Sequence, residues 1–506
     1  MLTIVKMVQC GSGHGDKSMS ERAGVVIVGT GFSGLCMAIR LKQSGVDDFV
    51  ILERADDVGG TWRDNHYPGC ACDVQSHLYS YSFEPNPDWS RQFAPQPEIW
   101  AYLRRCAEKY GILPHIRYNA NVVASRFDEA SSTWVVSTQD GRQFQGQVLV
   151  SGAGALSNPS VPKTEGSETF AGEMFHSANW RHDVDLRGKR VAVIGSGASA
   201  IQFVPQIAPK VARLDYFQRT APWVMPKPDW KRSELAKRIT RLIPFTQKLH
   251  RWTTYWILEG RVVAFVISPK ILKVLELLGR SHINKHVKDP AKRKALTPNF
   301  SAGCKRVLVS NDYYPALARD NVKIVSDNIQ RITPKGIVTA DGIEHPADVI
   351  IWGTGFRVQE LVPRGAYTGL GGRDLSDGWA RQGGPEAFLG MSVSGFPNLF
   401  FLMGPNTGLG HSSMVYMIES QVQYALDAIL KMRKAGMAVV DVRAETQQKF
   451  VENMQSRLKG TVWASGCKSW YVNDSGKNTT LWPGFTFRYR QATSSFKLAD
   501  YVIKAK

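Results

Sequence analysis

The strongest constraint on the fold is a glycine-rich pattern that occurs twice, each time directly after a short apolar run. In the first copy, GVVIVGTGFSG, Gly29, Gly31 and Gly34 follow the apolar residues 25–28. An apolar run of this length is typical of a buried parallel strand, and the residues from Leu35 onward repeat with helical spacing. Glycines at these positions allow a tight turn and let a pyrophosphate approach the helix N-terminus.

The second copy begins 166 residues further along the chain. The segment RVAVIGSGASA places Gly195, Gly197 and Ala200 after another apolar run. Two such units predict an α/β fold with two Rossmann-like dinucleotide-binding domains, each a mostly parallel sheet with helices on both faces.

The residue that ends the next strand differs between the two copies. It is Glu53 in the first and Arg219 in the second, and each lies 24 residues after the first glycine of its copy. A carboxylate at this place accepts hydrogen bonds from ribose hydroxyls, whereas a guanidinium binds a 2′-phosphate. The first unit is therefore predicted to bind the adenosine of FAD or NAD, and the second to bind NADPH. The alternative for Arg219 is an ordinary surface residue at a strand end.

Two later apolar runs, QVLVSGAGALSNP and ADVIIWGTGF, also end in small residues and lead the chain between the two units. They indicate that the chain leaves the first unit and returns to it late. The predicted division is a discontinuous first domain over residues 21–160 and 388–506, and a second domain over residues 165–387 with a helical insertion at 228–302. Residues 1–20 are predicted to be a loose leader, because they lack the long apolar core of a signal peptide.

The seven cysteines are scattered along the chain, and they form no CxxC motif. This pattern argues against a disulfide framework, a zinc ribbon and a dithiol redox centre, and no metal site is predicted. Reduced thiols in a cytoplasmic protein are the simpler interpretation.

The chain is basic, with 63 Lys and Arg against 44 Asp and Glu and a net charge of +19. Between residues 231 and 300 there are 16 basic and 4 acidic residues, and the basic ones alternate with Leu, Ile and Trp at helical spacing. A solvated helical face is the first interpretation, contact with a membrane surface the second, and nucleic acid the last. The most apolar stretch, residues 255–279, contains five charged residues, so no transmembrane helix is predicted.

Three longer motifs carry a family resemblance. The segment FAGEMFHSANW has Phe170, Gly172, His176 and Trp180 in an FxGxxxHxxxW pattern. The segment GGTWRDNHYPGCACD combines GGxW with YPGxxxD, and GCKR follows at residues 303–306. With these motifs, residues 25–482 resemble the type I Baeyer–Villiger monooxygenases of the flavin-containing monooxygenase group. Arg181 stands where that family usually has Pro or Asp.

The resemblance implies that the chain binds FAD and NADPH or NADP+. Lys305 would contact the 2′-phosphate beside Arg219. Trp470 lies on a polar loop that in the family folds over the nicotinamide cofactor, and the alternative is an aromatic anchor for a C-terminal loop. The predicted cofactor-binding residues are Gly29, Gly31, Gly34, Glu53, Gly60, Thr61, Trp62, Asp73, Tyr79, Val122, Gly195, Gly197, Ala200, Gln202, Arg219, Thr220, Lys305 and Trp470.

The resemblance also implies a chemistry. A flavin C4a-peroxide attacks a ketone carbonyl, and the tetrahedral (Criegee) intermediate rearranges to an ester or lactone. Both species are anionic, so a fixed cation beside the flavin is required, and Arg306 is predicted to be that cation, held in position by Asp73. His176 is predicted to be a hydrogen-bonded hinge between the two domains rather than a general base. The predicted substrate-pocket residues are His411, Ser412, Ser413 and Met414.

The sequence therefore predicts an NADPH- and O2-dependent monooxygenase that converts an apolar ketone into an ester or lactone and also oxidises thioethers to sulfoxides. The alternative within the group is an enzyme that oxygenates nitrogen or sulfur, a reaction that does not require Arg306. From another class, an NADPH-dependent quinone reductase would bind the same cofactors. A monomer without a nucleic-acid partner is expected.

Overall fold

The computed structural model describes residues 20–359, 362–467 and 469–506. Its strands are β1 Glu21–Val28, β2 Phe49–Leu52, β3 Ile116–Arg117, β4 Val122–Asp128, β5 Thr133–Thr138, β6 Gln143–Ser151, β7 Glu173–His176, β8 Arg190–Ile194, β9 Arg213–Phe217, β10 Val224–Met225, β11 Leu308–Val309, β12 Val322–Val325, β13 Ile329–Thr333, β14 Gly336–Thr339, β15 Glu344–Pro346, β16 Val349–Trp352, β17 Tyr367–Thr368, β18 Leu399–Phe401, β19 Met437–Val442 and β20 Tyr501–Ala505.

Helices connect and cover these strands. They are α1 Phe32–Gln43, α2 Thr61–Asp64, α3 Gln96–Lys109, α4 Ala200–Ile207, α5 Glu234–Leu242, α6 Pro244–Val262, α7 Leu272–His286, α8 Pro290–Leu296, α9 Tyr313–Leu317, α10 Leu375–Arg381, α11 Met414–Ala435, α12 Ala444–Lys459 and α13 Thr486–Ala492. Among the described helices, none is both long and apolar enough to cross a membrane.

The first sheet is centred on β1 and β6, which pair in parallel along their whole length. β2 and β3 continue the parallel part on the other side of β1. β6 has two further partners: its first half pairs antiparallel with β5, and residues 149–151 pair in parallel with β18. β4 follows β5, and β17 pairs with β4. β17 thus joins the first sheet, although the sequence analysis assigned residues 165–387 to the second unit.

The second sheet is fully parallel, with its strands in the order β12, β9, β8, β16 and β7. β8 leads into Gly195 and α4 in the same way that β1 leads into Gly29 and α1. The small antiparallel sheet β13–β15 lies between β12 and β16 in the chain. The prediction of an α/β fold with two Rossmann-like units is confirmed.

The glycine turn of the first unit is held by close packing around α1. Leu35, Met37 and Ile39 of α1 are fully buried, because the helix lies between the first sheet and α11. A Cβ on Gly34 would lie 1.8 Å from the carbonyl oxygen of Gly29, so only glycine allows this approach of helix to strand.

Four helices, α5–α8, lie between β10 and β11, within the range predicted for a helical insertion. The side chain of Ser233 caps α5 by accepting a hydrogen bond from Ala236 N, and Asp289 caps α8 in the same way. Of the predicted leader at residues 1–20, residues 1–19 lie outside the described part of the chain.

Cys304 and Cys467 form a disulfide, with 6.3 Å between their Cα atoms. The prediction of reduced thiols throughout was therefore wrong for this pair. The two cysteines are 163 residues apart, and only the folded chain brings them together, so their spacing carries no signal. Four further cysteines in the described residues are free and buried: Cys36, Cys70, Cys72 and Cys106.

Candidate active site

The first glycine loop lies beside the carboxylate of Glu53, at the carboxyl ends of β1 and β2. Glu53 is buried, and its Oε2 accepts hydrogen bonds from Thr30 N at 3.0 Å and Thr30 Oγ1 at 2.6 Å. Its Oε1 accepts a hydrogen bond from Arg63 Nη1 at 2.9 Å. The carboxylate of Glu53 is therefore held against the turn between Gly29 and Gly31. A carboxylate at this place in a Rossmann-like unit binds the ribose.

The GGxW motif packs onto the same loop. A Cβ on Gly60 would lie 3.1 Å from the Cα of Gly31. Thr61 and Trp62 begin α2, and Trp62 Nε1 donates a hydrogen bond to Tyr79 Oη at 3.1 Å. The structure thus brings these predicted cofactor residues together along one edge of the first unit.

The second glycine loop is tightly packed on one side and open on the other. Gly195 has φ +113°, and a Cβ there would lie 2.3 Å from the carbonyl oxygen of Gly353, so glycine is required where β8 and β16 end. A Cβ on Gly197 would meet nothing within 4 Å. Ala200, the first residue of α4, is fully buried. The backbone around Gly197 is therefore accessible to a phosphate group.

Two cations lie beside this second loop. Arg219 follows β9 and is exposed, and it is close enough to Lys305 for the two charges to repel. Burial and this repulsion lower the pKa of the Lys305 ammonium. Among the described residues, neither cation forms an ion pair with a carboxylate. The carbonyl of Thr220 accepts a hydrogen bond from Ser196 Oγ at 2.9 Å, which holds this strand end against the glycine loop.

Arg306 and Asp73, which are 233 residues apart in the sequence, form an ion pair. Nε and Nη2 of Arg306 donate hydrogen bonds to Asp73 Oδ2 at 2.9 and 2.6 Å, and Nη1 donates to the carbonyl of Leu409 at 3.3 Å. Both side chains remain about 30% exposed. The carboxylate raises the pKa of the guanidinium further, so the cation is permanent and fixed in direction while part of it stays accessible.

Three groups near this ion pair were missed by the sequence analysis. The charge of Arg261, on α6, interacts with those of both Asp73 and Arg306. The charge of Lys227 also interacts with that of Asp73. Tyr471 is buried, and burial raises its pKa to about 12 although the nearby Arg306 opposes the shift. The signal for Arg261 in the sequence is a charged residue inside an apolar stretch.

The Cys304–Cys467 disulfide attaches the loop of Trp470 to the GCKR loop, next to Arg306. Trp470 is 45% exposed, and its ring centroid lies 4.4 Å from that of Tyr471. Its carbonyl accepts a hydrogen bond from Gln359 Nε2 at 2.5 Å. The loop is thus covalently held beside the ion pair.

The FxGxxxHxxxW residues lie on and around the edge strand β7. His176 is 4% exposed, its Nδ1 accepts a hydrogen bond from Ala178 N at 3.0 Å, and burial lowers its pKa. Trp180 is buried, and Phe170 packs against a core cluster of the second unit. A Cβ on Gly172 would lie 2.3 Å from a backbone carbonyl oxygen. All four residues therefore have packing contacts in the second unit.

Two of the residues predicted to bind a cofactor, Gln202 and Val122, contact other parts of the protein. Gln202 Oε1 accepts a hydrogen bond from Tyr67 Oη at 3.0 Å, and its Nε2 donates to the carbonyl of Ala71 at 2.9 Å, so its amide joins α4 to the YPGxxxD loop. Val122 begins β4 and packs half-buried against the core of the first sheet.

The residues predicted to border the substrate are mostly enclosed. His411, Ser412 and Ser413 are at most 5% exposed, and only Met414 is half-buried. Ser413 Oγ caps α11, and His411 Nε2 lies 3.7 Å from Oε2 of the fully buried Glu259 on α6. The first three side chains are therefore enclosed in the described structure, and Ser413 holds the start of α11.

Residues 22–360 match the family model described as flavin-binding monooxygenase-like. The chain is 52% identical over 479 residues to a Baeyer-Villiger monooxygenase of Pseudomonas aeruginosa, a match that covers 94% of this chain and 90% of that protein. The chain belongs to the Baeyer–Villiger monooxygenases. A Baeyer-Villiger monooxygenase of Streptomyces coelicolor is 46% identical over 489 residues, with 96% of this chain and 94% of that protein covered.

Solved structures agree with this family. A steroid monooxygenase bound to NADP superposes with a TM-score of 0.84 at 30% identity, covering 96% of this chain and all of that one. The complex of OTEMO with FAD and NADP gives a TM-score of 0.86 at 28% identity over the same shares. The whole described Baeyer–Villiger monooxygenase, including both Rossmann-like units, therefore has the fold of those enzymes.

Proposed function

We propose that the chain is an NADPH- and O2-dependent flavoprotein that inserts one oxygen atom next to a ketone carbonyl to give an ester or lactone. The observation that carries this proposal is the Arg306–Asp73 ion pair, because it presents a permanent cation with an accessible side. Negative charge develops on the carbonyl oxygen when a ketone is attacked, and a fixed cation stabilises that charge without reorganisation.

The first unit fits FAD. Its glycine turn permits a pyrophosphate at the start of α1, and Glu53 at the end of β2 suits a ribose. Gly60, Thr61, Trp62 and Tyr79 border the same loop, and the name of the matched family is flavin-binding. When bound, the flavin supplies the electron transfer from NADPH and the activation of O2.

The second unit fits NADPH. Arg219 and Lys305 place two cations without acidic partners beside a glycine loop that is open at Gly197, and a 2′-phosphate would relieve their mutual repulsion. Trp470, on the disulfide-bonded loop, is proposed to cover the nicotinamide and exclude water from the site.

The remaining assignments rest on packing. We propose that residues 21–160 and the C-terminal part form the FAD domain, and that the NADP domain begins near 165. Because β17 pairs in the first sheet, the return to the FAD domain is proposed to lie before Tyr367 rather than at 388. His176, buried at the end of β7, is proposed to fix the connection between the domains.

The substrate class is proposed to be an apolar ketone, with thioethers as secondary substrates. An enzyme restricted to nitrogen or sulfur would not need the Arg306–Asp73 pair, and a quinone reductase would need neither that pair nor O2. We further propose a cytoplasmic monomer, because NADPH is supplied inside the cell.

Replacement of Arg306 tests the proposal. In Arg306→Ala, we expect reduction of the bound flavin by NADPH to stay within about twofold of wild type, while ester formation falls about 10²–10³-fold. Asp73→Asn should give a smaller loss, since it leaves the guanidinium in place but weakens its anchor. Arg331→Ala is the matched control, because this arginine of β13 is exposed and has no ion-pair partner among the described residues.

The readout is mass spectrometry of products from a panel of ketones and thioethers, beside anaerobic measurement of flavin reduction. Full ester formation by Arg306→Ala would overturn the assigned role. Sulfoxides without any ester from wild type would favour the alternative within the group, and oxygen-independent quinone reduction alone would favour the reductase.

A further inference from the structure

The exposed apolar side chains of the chain are concentrated in one region. Sixteen of the 26 exposed large apolar residues in the described structure lie between residues 230 and 278. They are Trp230, Leu235, Ile239, Leu242, Ile243, Phe245, Leu249, Trp252, Trp256, Ile257, Val263, Ile267, Ile271, Val274, Leu277 and Leu278. A concentration of this kind marks a binding surface rather than scattered surface residues.

The helices of this region expose large apolar side chains and bury several polar ones. The only buried residue of α5 is Thr240, whereas Leu242 is 71% exposed. α6 buries Gln247 and Thr254 together with the apolar Tyr255, Leu258 and Val262, whereas Trp252 is 60% exposed. A helix with water on its outer side is expected to be polar there, and these helices are not. We call the outward side of α5, α6 and α7 the apolar–basic face.

The region that carries this face is strongly positive. Of the 16 basic residues between 231 and 300, eleven are exposed, whereas only two of the four acidic residues are. One of those two, Glu234, is already paired with Lys237. Exposed cations on the three helices include Arg238, Lys248 and Lys273. Apolar and aromatic side chains among Lys and Arg are the composition of surfaces that lie in the headgroup region of a membrane.

We propose that the apolar–basic face binds the surface of an anionic lipid bilayer. The apolar side chains enter the boundary between headgroups and acyl chains, and the cations meet the lipid phosphates. A second copy of this chain is the less suitable occupant, because a symmetric dimer would bring two such positive faces together.

The face is connected to the proposed active site. α6 carries the exposed Ile257 and, one turn later, Arg261, whose charge interacts with those of Asp73 and Arg306. If the proposed function holds, an apolar ketone dissolved in the membrane would be concentrated next to the site. Lipid binding itself does not depend on that function, and the two are measured separately.

Sedimentation with vesicles tests the proposal on the full-length enzyme. We expect at least about tenfold stronger binding to vesicles of equal parts phosphatidylglycerol and phosphatidylcholine than to pure phosphatidylcholine, with a decrease in about 0.5 M salt. The triple variant Leu242→Ser, Trp252→Ser, Leu277→Ser should lose binding about tenfold or more. Arg238→Glu with Lys248→Glu and Lys273→Glu should remove the preference for the anionic lipid.

The matched control is Leu113→Ser, Val123→Ser, Ile343→Ser, which changes exposed apolar residues elsewhere and should bind like wild type. Retained flavin and an unchanged unfolding temperature verify that each variant folds. Wild type that fails to bind anionic vesicles, or an apolar triple variant that binds like wild type, would overturn the proposal. So would a wild-type dimer in light scattering that the apolar triple variant converts to a monomer, because a second copy would then occupy the face.

Discussion

Removal of the guanidinium of Arg219 should change the choice between NADPH and NADH without harming the enzyme otherwise. Arg219 is exposed beside the second glycine loop, and its charge lies near that of Lys305. NADH differs from NADPH only in the absence of the 2′-phosphate. Arg219→Ala should therefore weaken the use of NADPH and leave the use of NADH almost unchanged.

The expected size follows from the contact that is lost. A hydrogen bond between a guanidinium and a phosphate contributes about 1.5–3 kcal/mol, which corresponds to roughly a 10- to 150-fold rise in KM for NADPH. Lys305 is retained in the variant, so some selection of the phosphate remains. KM for NADH should stay within about twofold, because no lost contact involves it.

Steady-state oxidation of each nicotinamide, with kcat and KM determined separately, is the suitable assay. Arg331→Ala is again the control, since Arg331 is an exposed arginine of the same unit, on β13. Equal losses with NADPH and NADH would refute the reasoning, because they would indicate a structural role for Arg219. An unchanged KM for NADPH would refute it equally.

Two further predictions concern the stability of the protein and the loop of Trp470. Burial holds the pKa of His77 at about 3, so its unfolded form gains a proton from pH 6.5 downward while the folded form does not. Protonation of His77 in the unfolded state therefore lowers the unfolding free energy of wild type by about 2 kcal/mol between about pH 7.5 and pH 5. Denaturant titrations at the two pH values should show that His77→Gln lacks this decrease. Cys304→Ser should lower the unfolding free energy by about 2–4 kcal/mol and increase NADPH consumption without product, because the loop of Trp470 is no longer held. Treatment with a thiol reductant should reproduce both effects in wild type and change nothing in the variant, and insensitivity of wild type would contradict the prediction.

The parts that the sequence predicted are those encoded in local patterns. The glycine turns and the acidic and basic strand ends repeat at fixed spacing, so Gly29, Glu53, Gly195 and Arg219 could be found from the residues alone. Arg306 and Asp73 could be paired only because two motifs of a known family contain them, since nothing in a separation of 233 residues indicates contact.

The parts that were missed depend on long-range packing. Glu259 and Arg261 were read only as charges that interrupt an apolar stretch. In the folded chain, Glu259 is fully buried and accepts a hydrogen bond from Thr486 Oγ1 at 2.8 Å, a contact across 227 residues. The family resemblance placed His411 at the border of the substrate. In the folded chain its ring is buried and its Nε2 lies 3.7 Å from Glu259 Oε2, a neighbour that the sequence of the glycine-rich turn does not contain.

The pairing of β6 with β18, a strand from far along the chain, determines the order in which the two units can be completed during synthesis. Leu149 pairs with Leu399, and α1 packs against α11, so the first sheet needs residues that are synthesised about 250 positions later. All five strands of the second sheet lie between residues 173 and 352. Since domains fold as units while the chain emerges, the central unit can fold while the N-terminal unit still waits for its last strand. A chain that is cut short before β18 would therefore keep a complete second sheet and an unfinished site for the flavin.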